Sequence, residues 1–370
     1  MSSVGNDRWL YVGAFVPVAN ARHAGGRVAF ENLADLRHRH AEVDAVVCTT
    51  ESELAASAPA DVRVFRQHRG NFLSYLLRES FSLGLRRLVT AAVMHTRLQH
   101  ACQREIERLM KEHRYTGIFV DFTQSALLAQ RCVSATGCTA PMTLCVHDIF
   151  AQRMVRTRRS FEYWVTGAVL HDEQAVLSSV DRVLTLSEKD QRLAASLYAL
   201  ERVDVKPFRP PEWCAWVRRS AQSVEPSTLL FFANFERAEN SDAARWFMRE
   251  AMPEIHRSQS EVTLTLAGNG SDVLAAEFNG RVVVGTGFIE DPSPLFSRCA
   301  LAIAPLSEGA GVKFKVLEAL AAGVPVIGTP VALEGVDPRP GVTFASQAVF
   351  AGSVLSCLAE CRRSHELQTL

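Results

Sequence analysis

Glu308–Pro330 reads EGAGVKFKVLEALAAGVPVIGTP: small residues and two lysines crowd one turn, a single glutamate follows at 318, and the chain then turns apolar. Upstream, CALAIAPL (299–306) is apolar enough for a strand buried on both faces, and VPVIGTP (324–330) repeats that character downstream. Strand, glycine turn, helix and strand in succession make a βαβ unit, which calls for a parallel sheet.

Working outward, the same half holds STLLFFANF (227–235), a helical stretch Ser241–His256, VTLTLAGNG (262–270) and RVVVGTGF (281–288). The N-terminal half alternates in the same way. WLYVGAFV (9–16), a helix Gly26–Arg39, VDAVVCTT (43–50), a long amphipathic helix Leu85–His113, TGIFVDF (116–122), MTLCVHD (142–148), a helix through Leu177 and DRVLTLS (181–187) follow one another. Between the halves, KPFRPPEWCAW (206–216) carries Pro207, Pro210 and Pro211, which fit neither a helix interior nor a central strand. The expectation is an α/β chain with two Rossmann-like parallel-sheet domains, 1–205 and 227–370, joined by a linker 206–226 and facing an interdomain cleft.

Composition agrees with that size and class. A chain of 370 residues exceeds what one core usually serves, and 48% apolar with 22% charged residues describes a folded globular protein. Formal net charge is zero, so no global field points to nucleic acid. The start MSSVGNDRWLYVGAF lacks a secretory pattern and no run reaches transmembrane length, from which a cytoplasmic location is expected. Nine cysteines without a CxxC pair are read as reduced thiols, with Cys132, Cys138 and Cys145 on buried elements.

Ligands of open α/β sheets lie at the carboxyl ends of the strands. Ser307–Gly311 sits at such an end, where Gly309 and Gly311 allow close backbone approach and a helix N-terminus favours an anion such as phosphate. Lys313 and Lys315 add cations, and spacing alone does not say which of them points inward. The alternative is a plain tight turn with a solvated helix face. No DxD pair or HExxH spacing marks a metal site, and neither an S-x-x-K nor a P-loop pattern is present.

The segment GAGVKFKVLEALAAGVPVIGT, with FFANFERAENSDAARWF and VTLTLAGNG upstream and CVHDIF and VDRVLTLSEKD in the first half, resembles retaining GT-B glycosyltransferases of the family 4 type. The likeness covers nearly the whole chain. It implies transfer of a sugar from a nucleotide-diphosphate donor, the co-substrate in place of any cofactor, to a glycan, lipid-linked or small-molecule acceptor in surface polysaccharide or glycoconjugate synthesis. It also implies a front-face mechanism that needs no metal. Glu318 matches the family's ribose-contacting glutamate. The family's first glutamate would fall at 310, which is Ala310 here, with Glu308 two residues earlier. The glycine-rich variant of the motif fits better, with backbone at Gly309, Ala310, Gly311 and Val312 facing the donor and Lys313 or Lys315 supplying charge.

By the same resemblance, Arg237, and less well Arg245, takes the place of a cation after the first C-terminal strand. Ala233 stands where relatives have glycine, and Asn240 or Ser241 is expected to cap the next helix. His147, at a strand end, is a catalytic candidate together with Lys313 and Arg237, and Asp148 either orients the imidazole or caps a helix. Gly25, Gly26 and Arg27 in PVANARHAGGR are further candidates near the diphosphate or acceptor. Basic residues on Leu85–His113 (Arg86, Arg87, Arg97, Arg104, Arg108, Lys111) and at Arg153, Arg156, Arg158 and Arg159 leave peripheral contact with the inner face of a membrane open. Oligomeric state is not indicated. A catalytically silent GT-B protein that binds a partner or a nucleotide sugar is the alternative reading.

Overall fold

The computed structural model describes residues 7–19, 21, 24–50, 58–67, 94, 96–156, 160–220, 222–278 and 282–369. The chain divides into two compact units between Pro207 and Phe208. Each unit is a parallel sheet with helices between most of its successive strands, a Rossmann-like α/β architecture.

The first unit has seven strands: β1 Arg8–Gly13, β2 Glu42–Thr50, β3 Val62–Gln67, β4 Gly117–Asp121, β5 Met142–Val146, β6 Arg182–Thr185 and β7 Val203–Val205, in the order β3-β2-β1-β4-β5-β6-β7. Chain direction across the sheet reverses between β1 and β4, and that is where a crevice opens in this fold class. All five residues of β4 are buried, as a central parallel strand covered on both faces requires. The helices are α1 Ala24–Arg39, α2 His100–Glu112, α3 Thr123–Thr136, α4 Phe150–Arg156, α5 Ser160–Leu177 and α6 Glu188–Tyr198.

The long helix expected over Leu85–His113 is not continuous. Gln99 is extended, with φ −142° and ψ 128°, and α2 starts after it; residues 85–93, with Arg86 and Arg87, lie outside the described residues. Nor is this a uniformly basic face. Arg97 is buried, and Arg108 is paired with Glu105 and Glu112 on its own helix. Arg153 stacks on Phe150 and pairs with Asp148, while Arg158 and Arg159 lie outside the described residues.

The second unit has β8 Glu225–Phe232, β9 Thr263–Ala267, β10 Val283–Gly285, β11 Cys299–Ala304, β12 Val326–Gly328 and β13 Val342–Phe344, ordered β10-β9-β8-β11-β12-β13, so its reversal lies between β8 and β11. All six residues of β11 are buried. Its helices are α7 Glu212–Trp216, α8 Ala238–Trp246, α9 Met252–Ser258, α10 Ser271–Ala275, α11 Ser293–Arg298, α12 Phe314–Ala321 and α13 Phe350–Thr369. Much of the segment expected as linker is packed structure. Trp213 on α7 lies 4.8 Å from the Phe296 ring, Arg219 donates to the carbonyls of Phe296 and Cys299 at 2.7 Å, and β8 begins at Glu225.

The helix expected over 241–256 starts earlier and changes pitch. A π-turn, Phe247–Ala251, separates α8 from α9, with the Met252 amide bonded to the Phe247 carbonyl. Pro253 supplies the reason, since its ring would collide with the carbonyl four residues back in a regular helix. All nine cysteines are free thiols; Cys132 and Cys145 are buried and Cys138 is half-buried. Among the described residues no helix is long and apolar enough to cross a membrane.

Candidate functional site

In the second unit the loops after β8 and β11 meet at the reversal of strand order. After β8, the Ala233 amide donates to the Ala267 carbonyl at 2.9 Å and the Phe235 amide to the Asn269 carbonyl at 2.7 Å. Gly268 makes this possible: its φ is +122°, and a Cβ there would lie 2.1 Å from the Ala233 oxygen. Ala233 therefore packs its carbonyl against Gly268. α8 begins at Ala238, so Arg237 is the residue flanking its start and neither Asn240 nor Ser241 caps it. Both lie buried in the first turn, where Asn240 Nδ2 donates to the Asn234 carbonyl at 2.6 Å.

After β11, the glycine loop extends further than expected, and α12 starts only at Phe314 with Lys313 as its flanking residue. Gly309 and Gly311 hold φ of +120° and +70°, a region that disfavours any side chain. Ala310 and Val312 alternate with them in this loop, two or more residues ahead of the helix. The two lysines separate in role. Lys313 Nζ folds back onto its own loop, donating to the Ala310 carbonyl at 3.2 Å and the Gly311 carbonyl at 2.5 Å. Lys315 turns inward: its Nζ donates to Asn240 Oδ1 and sits 5.3 Å from the centre of the Phe231 ring.

Burial, then the positive charges of Lys313 and Arg237, push the Lys315 ammonium down to about 7, against the opposing pull of Glu239 and Glu318. Glu318, one turn along α12, is buried at 2% exposure. Arg237 is exposed and paired with Glu239 at 2.9 Å. Arg245 faces away into a bidentate pair with Glu277, at 2.9 and 2.7 Å, a structural role. Gly309, Ala310, Gly311, Val312, Lys313, Lys315, Glu318 and Arg237 thus share one strand-end locality.

The first unit builds a second locality at the ends of β1, β4 and β5. Asp121 closes β4 with no exposed surface. Its Oδ2 accepts from Tyr11 Oη at 2.9 Å, and its Oδ1 accepts from Asn32 Nδ2 at 2.9 Å and faces His147 Nε2 at 2.8 Å. Lys206 Nζ in turn donates to Asn32 Oδ1 at 2.5 Å. Burial works against a charged His147, but the Asp121 carboxylate and its hydrogen bond, with Cys145 beside them, outweigh it and lift the imidazole to about 10. Burial and the same carboxylate push the Tyr11 phenol well above its ordinary range.

Asp121, and not Asp148, orients the imidazole; Asp148 pairs with Arg153 at 3.3 Å. Donor atoms of Asp121, Cys145 and His147 lie within 4.8 Å of one another, but both Asp121 oxygens already accept from Tyr11 and Asn32, the pattern of a hydrogen-bonded network. Gly25 and Gly26 open α1. A Cβ on Gly25 would meet the Phe15 ring at 2.8 Å, and Phe15 stacks at 6.1 Å on His147, so the helix start approaches the histidine's neighbour. Phe122, directly after Asp121, holds φ +80°, a strained conformation for a side chain of its size.

The sequence reading missed Asp121, Tyr11, Asn32, Lys206 and the Asn234–Asn240 bond. One signal was present: a lone aspartate ends the otherwise apolar GIFVD at a carboxyl end.

Residues 226–360 match the family Glycosyl transferases group 1. A curated relative, an uncharacterised 44.6 kDa protein in a cps region of Klebsiella pneumoniae, is 20% identical over 213 residues, 54% of this chain and 53% of that one, so the match spans about half of the relative's length. Solved structures share the fold at low identity. Sucrose-phosphate synthase from Thermosynechococcus elongatus superposes with a TM-score of 0.66 at 13% identity, covering 96% of this chain and 90% of that one. Anabaena HepE in complex with UDP and glucose gives 0.61 at 13%, with 96% and 91% covered. An α,α-trehalose-phosphate synthase (UDP-forming) from Burkholderia vietnamiensis gives 0.62 at 12%, with 97% and 92% covered. The second unit matches the model of this family over residues 226–360, and the two parallel-sheet units share the GT-B fold of these solved structures.

Proposed function

We propose that the chain transfers a sugar, with retention and without a metal, from a nucleotide-diphosphate donor held by the second unit to a glycan, lipid-linked or small-molecule acceptor held by the first. The carrying observation is the β8/β11 locality. Buried Glu318, inward Lys315 and the left-handed glycines of the 309–312 loop converge where this fold class binds ligands. Glu318 would accept from the ribose hydroxyls. Lys315, with Lys313 and Arg237 nearby, would stabilise charge developing on the departing diphosphate, the electrostatic task a metal performs elsewhere. HepE, solved with UDP and glucose, supports a nucleotide-sugar donor, and the cps-region relative supports a role in surface polysaccharide or glycoconjugate synthesis.

A cytoplasmic location belongs to the same proposal. A peripheral membrane position has less support, because α2 balances its basic residues with Glu105, Glu107 and Glu112. One observation keeps a silent, binding-only protein in view: Ala310 stands where the family's first carboxylate would fall. Incubating the purified protein with a panel of nucleotide sugars, and following nucleoside diphosphate release by mass spectrometry, tests both. Release with transfer to an added acceptor supports the enzyme; binding without release across the panel supports the silent protein.

A further inference from the structure

Asp121 has no exposed surface, and its carboxyl faces three donors: Tyr11 Oη, Asn32 Nδ2 and His147 Nε2. The phenol and the amide donate, so both carboxyl oxygens act as acceptors, the arrangement a carboxylate favours. A buried anion needs a compensating cation. Among the described residues Lys206 reaches Asn32 and, at 3.5 Å, Glu31, and is therefore one residue removed from the carboxylate.

Of the described groups facing the imidazole, Phe15 and Phe122 are uncharged rings and Cys145 is a thiol, while Arg97 lies 5.5 Å from the Phe15 ring. Asp148 is engaged by Arg153. Among the described residues, the charge that balances Asp121 is left to His147.

We propose that Asp121 is a positioning residue that keeps His147 as an imidazolium, so that His147 acts as a fixed cationic donor and not as a base. This rests on the transferase reading for its use in catalysis, but the charge state stands independently. With Nε2–H committed to Asp121, Nδ1–H is the second donor, suited to an anionic or hydroxylic oxygen of donor or acceptor. A permanently charged His147 cannot take the acceptor's proton near neutral pH. The proton must leave through another group, which fits the front-face chemistry, where the departing phosphate receives it. The upward displacement of the His147 pKa agrees with this assignment.

The test is an NMR titration of ¹⁵N-histidine-labelled protein, with the His147 signal assigned by its loss in His147→Gln. Wild-type His147 is expected to stay charged from pH 6 to above 8. In Asp121→Asn the midpoint falls by about two units or more, as loss of a close anion dictates. Tyr11→Phe, which keeps the carboxylate, leaves His147 charged. A wild-type midpoint near the ordinary 6.5, or the same midpoint in Asp121→Asn, overturns the proposal, and the wild-type arm decides even where the variant does not fold. A charged His147 in a protein that turns over no nucleotide sugar would leave the charge assignment standing and remove the transferase reading.

Discussion

Replacing Lys315 by methionine tests the donor site at the point where its geometry and its energetics coincide. A Lys315 that titrates near 7 is half charged at pH 7 and only about one-tenth charged at pH 8. A diphosphate placed against it favours the charged form, so binding should draw in a proton: about half a proton at pH 7, and toward ~0.9 at pH 8. Calorimetric titration of UDP, with GDP and ADP as further probes, in HEPES and in Tris reads that number directly, because the two buffers release protons with different heats. Lys315→Met should abolish the uptake at pH 8, where the nucleotide's own phosphate is already ionised. It should also loosen binding about ten- to a hundredfold, the loss of one charge-assisted hydrogen bond of roughly 1.5 to 3 kcal/mol. The stability of the free protein moves the other way. Lys315 is depressed on folding, so the unfolded chain binds more protons between about 7 and 10.5 and stability climbs with pH across that window. The variant should lose that climb and be no less stable at pH 7. Equal proton uptake in both proteins at pH 8, or none in either, would show that Lys315 does not meet the diphosphate.

Glu318→Ala should weaken nucleotide binding by about 2 to 3 kcal/mol while leaving the circular dichroism spectrum unchanged; an unaltered dissociation constant removes Glu318 from the site. His147→Ala should lower kcat with little change in nucleotide affinity, because its proposed contact forms at the reacting centre, and wild-type turnover would make the residue structural. Gly268→Ala should cost on the order of 2 to 3 kcal/mol in urea unfolding, since the new methyl meets the Ala233 carbonyl in a left-handed backbone. A wild-type midpoint would mean that the two loops do not approach as closely as described.

The central strands were legible because burial on both faces writes itself as unbroken apolar runs: CALAIA and GIFVD announce β11 and β4 without help from their neighbours. Three of the four edge strands were not. β7 and β13 are three residues each, and β3, VRVFRQ, mixes charge into its length because an edge strand meets water along one side. Helix boundaries failed where one residue overruled periodicity, as with Pro253, which forces a π-turn into a stretch of good helical pattern.

The candidate site shows the same division more sharply. That glycines, lysines and a glutamate share the strand end after β11 is a matter of sequence order, and order is legible. Which lysine turns inward depends on Asn240 and Phe231, 75 and 84 residues away along the chain, and spacing within a helix carries no trace of them. Lys313, the nearer to the glycines, closes on its own loop carbonyls because it precedes the helix and its stem can fold back. Lys315, inside the first turn, has its direction fixed by the helix and is sent toward β8. The residue whose charge is most easily altered by a ligand is therefore chosen by packing between two strands' loops. The same holds for His147, whose partner Asp121 comes from the neighbouring strand: residue type names the chemistry that is available, and strand order decides which of it is used.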